Sequence, residues 1–380
     1  MEKSYRDTRL YTEALCQPLG HEDYVLQLVD YASPPKWHLA HTTWFFEEMI
    51  LKKQLRDYRE FDSCFSFLFN SYYNSVGDRL PRHARGDISR PDTETVYRYR
   101  QYVDEYMLEL LSQPLQKALE ELIVLGINHE QQHQELLLSD LKFALAHNPL
   151  FPVYREDFNL LDDSNSDQGQ LRIEEGIYEV GYQGNAFHFD NECQRHKVYL
   201  PGFTINKDLV TNQEYLEFIE DGAYEKFEYW LDDGWHWRKQ NGITAPLYWH
   251  KLESGWHYYT LAGLRPLNPD AMLCHVSFYE ASAYASWKGM RLPTEFEWEV
   301  ASEQLLWGKR WEWCNSAYLP YPGYEISEGA VGEYNGKFMI NQMVLRGASV
   351  ATPKGHSRKT YRNFFHPHLQ WQYAGIRLAS

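Results

Sequence analysis

Two imidazoles four residues apart are the first chemistry this 380-residue chain offers. In His129-Glu130-Gln131-Gln132-His133 the two rings project about 40° apart around a helix axis, so both can reach one metal ion. A His-x3-His pair by itself is equally compatible with an exposed polar helix face. Read literally, the same five residues also spell His-Glu-x-x-His, the zincin signature, in which Glu130 would be the general base of a zinc-dependent peptidase. That reading requires a third ligand, and without the metzincin continuation it is left with a distant candidate such as Glu156. A non-haem iron site could recruit a carboxylate instead, but Glu135 lies about 200° around the helix from His133 and is expected to point away. A better third ligand lies upstream, where His38 and His41 sit one turn apart, one of them a ligand candidate and the other a core histidine.

Two helices must carry these residues. Ser33-Pro34-Pro35 supplies a cap and an early proline, after which Trp37 to Leu55 runs without a breaker. The second helix is expected from about Pro114 to Ala146, with a possible bend at Gly126, and ends before Asn148-Pro149. Between them, Phe67 to Pro91 is punctuated by Gly77, Pro81, Gly86 and Pro91 and reads as a long ordered loop or a series of short turns. The whole of residues 1–155 reads as a helical domain, and the polar run Asp162 to Gln170 places a linker at 156–170. From 171 to 380 short runs, glycines and aromatics dominate, with convincing helical patterns only over Asn212–Ile219 and Phe278–Lys288. The fold class is therefore α+β, with no internal repeat.

Composition narrows the function classes. A formal net charge of -16 without a Lys/Arg block repels a phosphate backbone, which argues against nucleic acid. No apolar run has the length of a membrane span, and the charged N-terminus lacks the apolar core of a secretory signal, so a soluble cytoplasmic protein is expected. Five scattered cysteines form no Cys-x-x-Cys pair and read as reduced thiols. The 16% aromatic content, with 13 Trp and 29 Tyr, suits either aromatic-rich loop packing or a site that holds a flat or cationic ligand.

The run from Ser33 to Glu47, Ser-Pro-Pro-Lys-Trp-His-Leu-Ala-His-Thr-Thr-Trp-Phe-Phe-Glu, together with His129-x3-His133-x-Glu135, resembles the DinB-like helical domain of the EgtB-type sulfoxide synthases of ergothioneine biosynthesis, relatives of the OvoA enzymes. Cys274-His275-Val276-Ser277, the stretch Arg291 to Glu299, Asn341 to Gly347 and Thr360 to Phe365 resemble that family's formylglycine-generating-enzyme-like domain, a C-type-lectin-like fold. The resemblance covers nearly the whole chain and implies a DinB-like four-helix bundle followed by that second domain. Thr352 and Ser357 stand in the region where formylglycine synthesis needs thiols, which argues against that activity here. Lys309-Arg310-Trp311-Glu312-Trp313 and Ala348 also depart from the family's usual residues.

What the resemblance implies is an O2-dependent iron(II) enzyme that joins cysteine to C2 of the hercynine imidazole as a sulfoxide. By it, the Fe(II) ligands are His41, His129 and His133, and His38 is structural. Tyr72 and Tyr73, in Asn70-Ser71-Tyr72-Tyr73-Asn74, match the family's catalytic tyrosine pair. Arg82 and Arg85 match the residues that hold the sulfur donor's carboxylate, while Gln132, Asn363, Phe364 and Phe365 match its hercynine contacts. An OvoA-like histidine acceptor or a selenium donor is the nearest alternative, and the zinc peptidase is the alternative from another class.

Overall fold

The computed structural model describes residues 1–71, 73, 76–326 and 335–380. Among these, one compact unit holds Met1–Pro149 together with the much later segment Thr352–His356, and a second holds the remaining residues.

The first unit is built on four long helices: α1 (Glu2–Cys16), α2 (Pro35–Phe46), α3 (Thr93–Leu111) and α4 (Lys117–Ala146). Pro34 is extended and Pro35 takes the first turn of α2, the position where a missing N–H costs nothing. Every residue of α2 is buried, so it has no polar face, as expected of a helix enclosed on all sides. The expected uninterrupted helix to Leu55 differs after Phe46, where the chain widens into a π-helical turn, Glu47–Leu51, before a last α turn, Lys52–Gln54. In that wider turn the buried Glu47 carboxylate accepts from Tyr99 Oη (2.6 Å), Tyr58 Oη (2.7 Å) and the Phe61 N–H (3.1 Å). Gly126 serves close packing: a Cβ there would lie 2.6 Å from Phe46 Cε1 and 2.9 Å from Phe45 Cε1. Its bare backbone lets α4 approach α2 one turn before the histidines.

Buried charge locks the four helices together. Glu130 on α4, fully buried, accepts from Arg9 Nη1 of α1 at 2.9 Å, from Arg100 Nη2 of α3 at 3.0 Å and from Thr12 Oγ1 at 2.7 Å. Arg9 reaches on to Thr43 Oγ1 of α2 (2.9 Å) and to Asp104 (2.7 Å), and Arg100 Nη1 donates to the Leu39 carbonyl of α2 (3.0 Å). Burial alone would raise the Glu130 carboxyl, but Arg9 and Arg100 outweigh it and hold the group down at about 2.

In the second unit β1 (Gln170–Ile173) pairs antiparallel with β4 (Phe203–Asn206), and β2 (Gly176–Val180) with β3 (His196–Leu200). Strands β5 (Trp249–Leu252), β6 (Gly255–Thr260) and β7 (Gly263–Pro266) form an antiparallel meander. Strands β8 (Trp311–Ala317), β9 (Met343–Gly347), β10 (Asn363–Phe365) and β11 (Ala374–Gly375) form a sheet in the order β10-β9-β8-β11, with β11 parallel to β8. The expected helices are present as α5 (Asn212–Glu220) and α7 (Phe278–Trp287), joined by α6 (Asp232–Asn241) and α8 (Glu295–Ala301), which the sequence reading omits. Both carried signals: α8 a Thr294/Glu297 capping box, α6 two leading aspartates and a left-handed Gly242 after its last turn. Glu295 and Glu299 of α8 pair with the buried Arg362 (2.8 and 2.9 Å) and Arg346 (2.6 Å), and Glu297 takes Arg291 at 2.7 and 2.8 Å. The acidic motif thus fastens a short helix into the fold. The polar run read as a linker is tied into this unit: Asn165 Nδ2 donates to the Leu209 carbonyl (2.8 Å), and the Met272 N–H donates to the Asp163 carbonyl (3.0 Å). All five cysteines are free thiols, and among the described residues no helix is long and apolar enough to cross a membrane.

The buried cluster sets a prediction. Glu130→Gln removes one partner of two buried guanidinium groups and is expected to cost about 3–5 kcal/mol in urea denaturation. Because the folded-state value of Glu130 lies below its unfolded value of 4.5, its contribution is fully present above about pH 4.5 and is lost as pH falls toward about 2. Stability of Glu130→Gln should therefore vary less between pH 5 and pH 3 than that of the wild type, measured as the urea midpoint.

Candidate metal centre

The i, i+4 spacing on α4 and the burial of α2 bring three imidazoles together. One ring nitrogen each from His41, His129 and His133 lies within 4.8 Å of the others. Ring centroids are 4.9 Å apart for His41 and His129, 4.8 Å for His41 and His133, and 4.6 Å for His129 and His133.

Hydrogen bonds aim two of these rings. The Nδ1–H of His41 donates to the Phe69 carbonyl at 2.6 Å, while its Nε2 is buried with no hydrogen-bond partner among the described residues. A buried polar atom left without a partner normally calls for an explanation, and a metal ion is one. His133 is engaged through Nδ1, 2.9 Å from Nδ1 of His38. Burial pushes all three imidazoles toward their neutral, ligating form: His129 goes down to about 3, and His41 and His133 fall well below the ordinary value. Neighbouring imidazoles and Arg85 lower His41 and His133 further. Three neutral nitrogen donors fit a borderline divalent transition metal and leave positions open for other ligands.

The surroundings of His41 are aromatic. Its ring stacks on Trp37 (4.4 Å, 18°) on one side and near Trp44 (5.6 Å, 20°) on the other. Trp44 in turn meets Tyr73 at 5.5 Å, and the Arg85 guanidinium lies over the Trp37 ring at 3.5 Å. Such a cation–π contact contributes on the order of 1 kcal/mol. Arg85 Nη1 and Nη2 donate to Ser33 Oγ (2.8 Å) and Ser71 Oγ (2.9 Å). Arg82 is exposed, and its guanidinium donates to the Tyr31 carbonyl.

Tyr73 is buried, and Asn70 clamps its backbone: Asn70 Oδ1 accepts the Tyr73 N–H and Asn70 Nδ2 donates to the Tyr73 carbonyl, each at 3.0 Å. The same short loop therefore bonds His41 through Phe69 and positions Tyr73 through Asn70. Sequence reasoning had Asn70 inside its motif without this role. Tyr72, the other predicted tyrosine, lies outside the described residues. Gln132 is half-buried on α4. In the second unit Phe364 stacks on Tyr318 (4.0 Å, 12°), Phe365 meets Trp371 edge-on (5.0 Å, 75°), and Asn363 Oδ1 accepts the Phe364 N–H (2.9 Å).

The zinc-peptidase alternative is corrected by Glu130. Its two carboxylate oxygens are bonded to Arg9, Arg100 and Thr12, so it cannot act as base for a water on His129 and His133. Nor does Glu156 supply the missing ligand: it pairs with Arg265 at 2.7 Å in the second unit. Glu135 accepts from Thr352 Oγ1 at 2.7 Å.

Residues 4–137 match the DinB superfamily, and residues 158–306 match the sulfatase-modifying factor enzyme 1-like domain. A hercynine oxygenase of Mycobacterium tuberculosis is 30% identical over 303 residues, covering 67% of this chain and 70% of that protein. The hercynine oxygenase of Mycolicibacterium smegmatis is 29% identical over 309 residues, covering 67% and 70%. The formylglycine-generating enzyme of Streptomyces coelicolor is 29% identical over 178 residues, 39% of this chain and 51% of its own. With a DinB match over the residues that include the three histidines, a sulfatase-modifying-factor-like match after it, and a relative 30% identical of which 70% is covered, this chain belongs to the hercynine oxygenase family.

Proposed function

We propose that this protein is an iron(II)-dependent sulfoxide synthase of ergothioneine biosynthesis, forming a carbon–sulfur bond between cysteine and C2 of the hercynine imidazole. The observation that carries the reading is the convergence of three imidazoles, His41 and His129 buried and His133 half-buried, His41 with an Nε2 unpartnered among the described residues, inside a chain related to hercynine oxygenases. The overall change is balanced: the thiol S–H and the imidazole C2–H are lost, one oxygen atom of O2 ends on sulfur and the other leaves as water. The two substrates together give up four electrons and O2 takes them.

His41, His129 and His133 would hold the metal. Ferrous iron bound there would activate O2 and keep the donor thiol as thiolate. Arg85, fixed by two serine hydroxyls and the Trp37 face, and the exposed Arg82 would orient the donor's carboxylate, a task suited to a planar guanidinium. Gln132, between the two α4 histidines, would face the acceptor. The phenol of Tyr73, or of Tyr72, would deliver a proton from Oη during oxygen reduction. Tyr73 is held for such a step by Asn70, beside Trp44.

Oxygen uptake is expected to require Fe(II), cysteine and hercynine together, with the sulfoxide detected by mass spectrometry. Turnover with Zn(II), or peptide hydrolysis, would refute the reading. With phenylalanine at both 72 and 73, the product should shift from the sulfoxide toward the cysteine sulfinic acid, and unchanged coupling would remove the tyrosines from the mechanism.

The depressed imidazoles set a pH prediction. Each is already deprotonated well below its ordinary value of 6.5, so metal ions need not displace protons near neutrality. Divalent-metal affinity of the stripped protein should change by less than about threefold between pH 7.5 and 6.0, whereas three ordinary imidazoles would lose about fiftyfold.

A further inference from the structure

His38 has so far no role beyond packing, yet both of its ring nitrogens are engaged and it is almost fully buried, 2% exposed. Its Nε2 is 2.9 Å from Asp140 Oδ2, and its Nδ1 is 2.9 Å from Nδ1 of His133. The Asp140 oxygen also accepts the Ser33 N–H at 2.8 Å, which pins the carboxylate between the start of α2 and the end of α4.

Direction follows from donor chemistry. A carboxylate has no hydrogen to give, so His38 must donate from Nε2 to Asp140. A neutral His38 then has a bare Nδ1, which can only accept, and the hydrogen between the two rings must belong to Nδ1 of His133. With its hydrogen on Nδ1, His133 keeps its Nε2 lone pair free. His41 reaches the same tautomer by a simpler route, its Nδ1–H donating to the Phe69 carbonyl.

We infer that Asp140 and His38 are positioning residues that act in series, fixing the tautomer and ring plane of His133 so that Nε2 is the ligating atom. The inference rests on the metal reading of His41, His129 and His133. An anchored ligand needs no tautomer change or ring search on binding, and a carboxylate-backed chain raises its donor strength. Because the chain runs through a second imidazole, it can be cut at either of two places with the same effect on His133.

The test is a Co(II) titration of the metal-stripped full-length protein, followed by the visible ligand-field absorption, with circular dichroism to confirm the helical fold of each variant. Wild type should bind one Co(II), and His41→Ala should abolish that binding. His38→Phe and Asp140→Ala should each weaken binding about 10–100-fold and shift the absorption band. His38→Gln, whose amide can both accept from His133 Nδ1–H and donate to Asp140, should stay within about threefold of wild type, as a hydrogen-bond role requires. Two outcomes overturn the inference: wild-type affinity and spectrum in folded His38→Phe or Asp140→Ala, or a His38→Gln variant as weak as His38→Phe. If His38→Phe does not fold, Asp140→Ala and His38→Gln decide alone. Failure of the metal reading looks different, because wild type would then bind no Co(II), or His41→Ala would bind as well as wild type.

Discussion

The rotation of one helix about its own axis decides whether this protein has a site. His129, Glu130 and His133 share α4, and successive side chains diverge by about 100°, so fixing one fixes the others. The carboxylate of Glu130 is held by a guanidinium from α1 and another from α3, both of which also touch α2. Apolar packing alone tolerates some helix rotation, since leucines slide past one another at small cost. A buried carboxylate between two arginines does not, because each displaced bond leaves a desolvated charge. The ion cluster therefore sets the bearing of the histidines from an adjacent flank of the helix.

On the near side the constraint is α2, which has no exposed face. A helix buried all round must satisfy its polar side chains internally, and several here tie it to its neighbours. Lys36 Nζ caps the Ile88 and Pro91 carbonyls at 2.6 and 3.0 Å, which fixes the stretch that carries Arg82 and Arg85. Thr43 bonds Arg9 and returns its own hydrogen to the Leu39 carbonyl. His41 takes the Phe69 carbonyl, linking the ligand to the loop that ends in Tyr73. His41, the stretch of Arg82 and Arg85, and the loop of Tyr73 are thus referred to a single helix.

Much of this could be read from residues, and the limits are physical. The i, i+4 pair on a helix and the breaker-free run after Ser33-Pro34-Pro35 express local periodicity, which single sequences carry well. Choosing His41 over His38 as the third donor was a different matter: one turn apart, they look alike locally, and only the resemblance separated them. The structure separates them by long-range partners, Phe69 for one and Asp140 for the other. Glu130 misled the literal motif because its arginines lie 121 and 30 residues away. The π turn at Glu47–Leu51 escaped for a related reason, its phenolic partners Tyr58 and Tyr99 lying in a following loop and on α3. In the second unit α6 and α8 were missed through reliance on apolar stripes, though caps and terminal charges marked both.

The segment Thr352–His356 belongs to the helical unit although some two hundred residues separate it from α4, where Thr352 meets Glu135 and His356 Nδ1 faces Gln131 Oε1 at 3.2 Å. A ribosome releasing this chain from its N-terminus makes the four helices well before it makes the segment that packs on α4. The flank of α4 that carries Gln131 and Glu135 thus waits for its Thr352–His356 neighbours until the intervening residues of the second unit have been made. Closure of that flank is thereby tied to the making of the some two hundred residues that lie between.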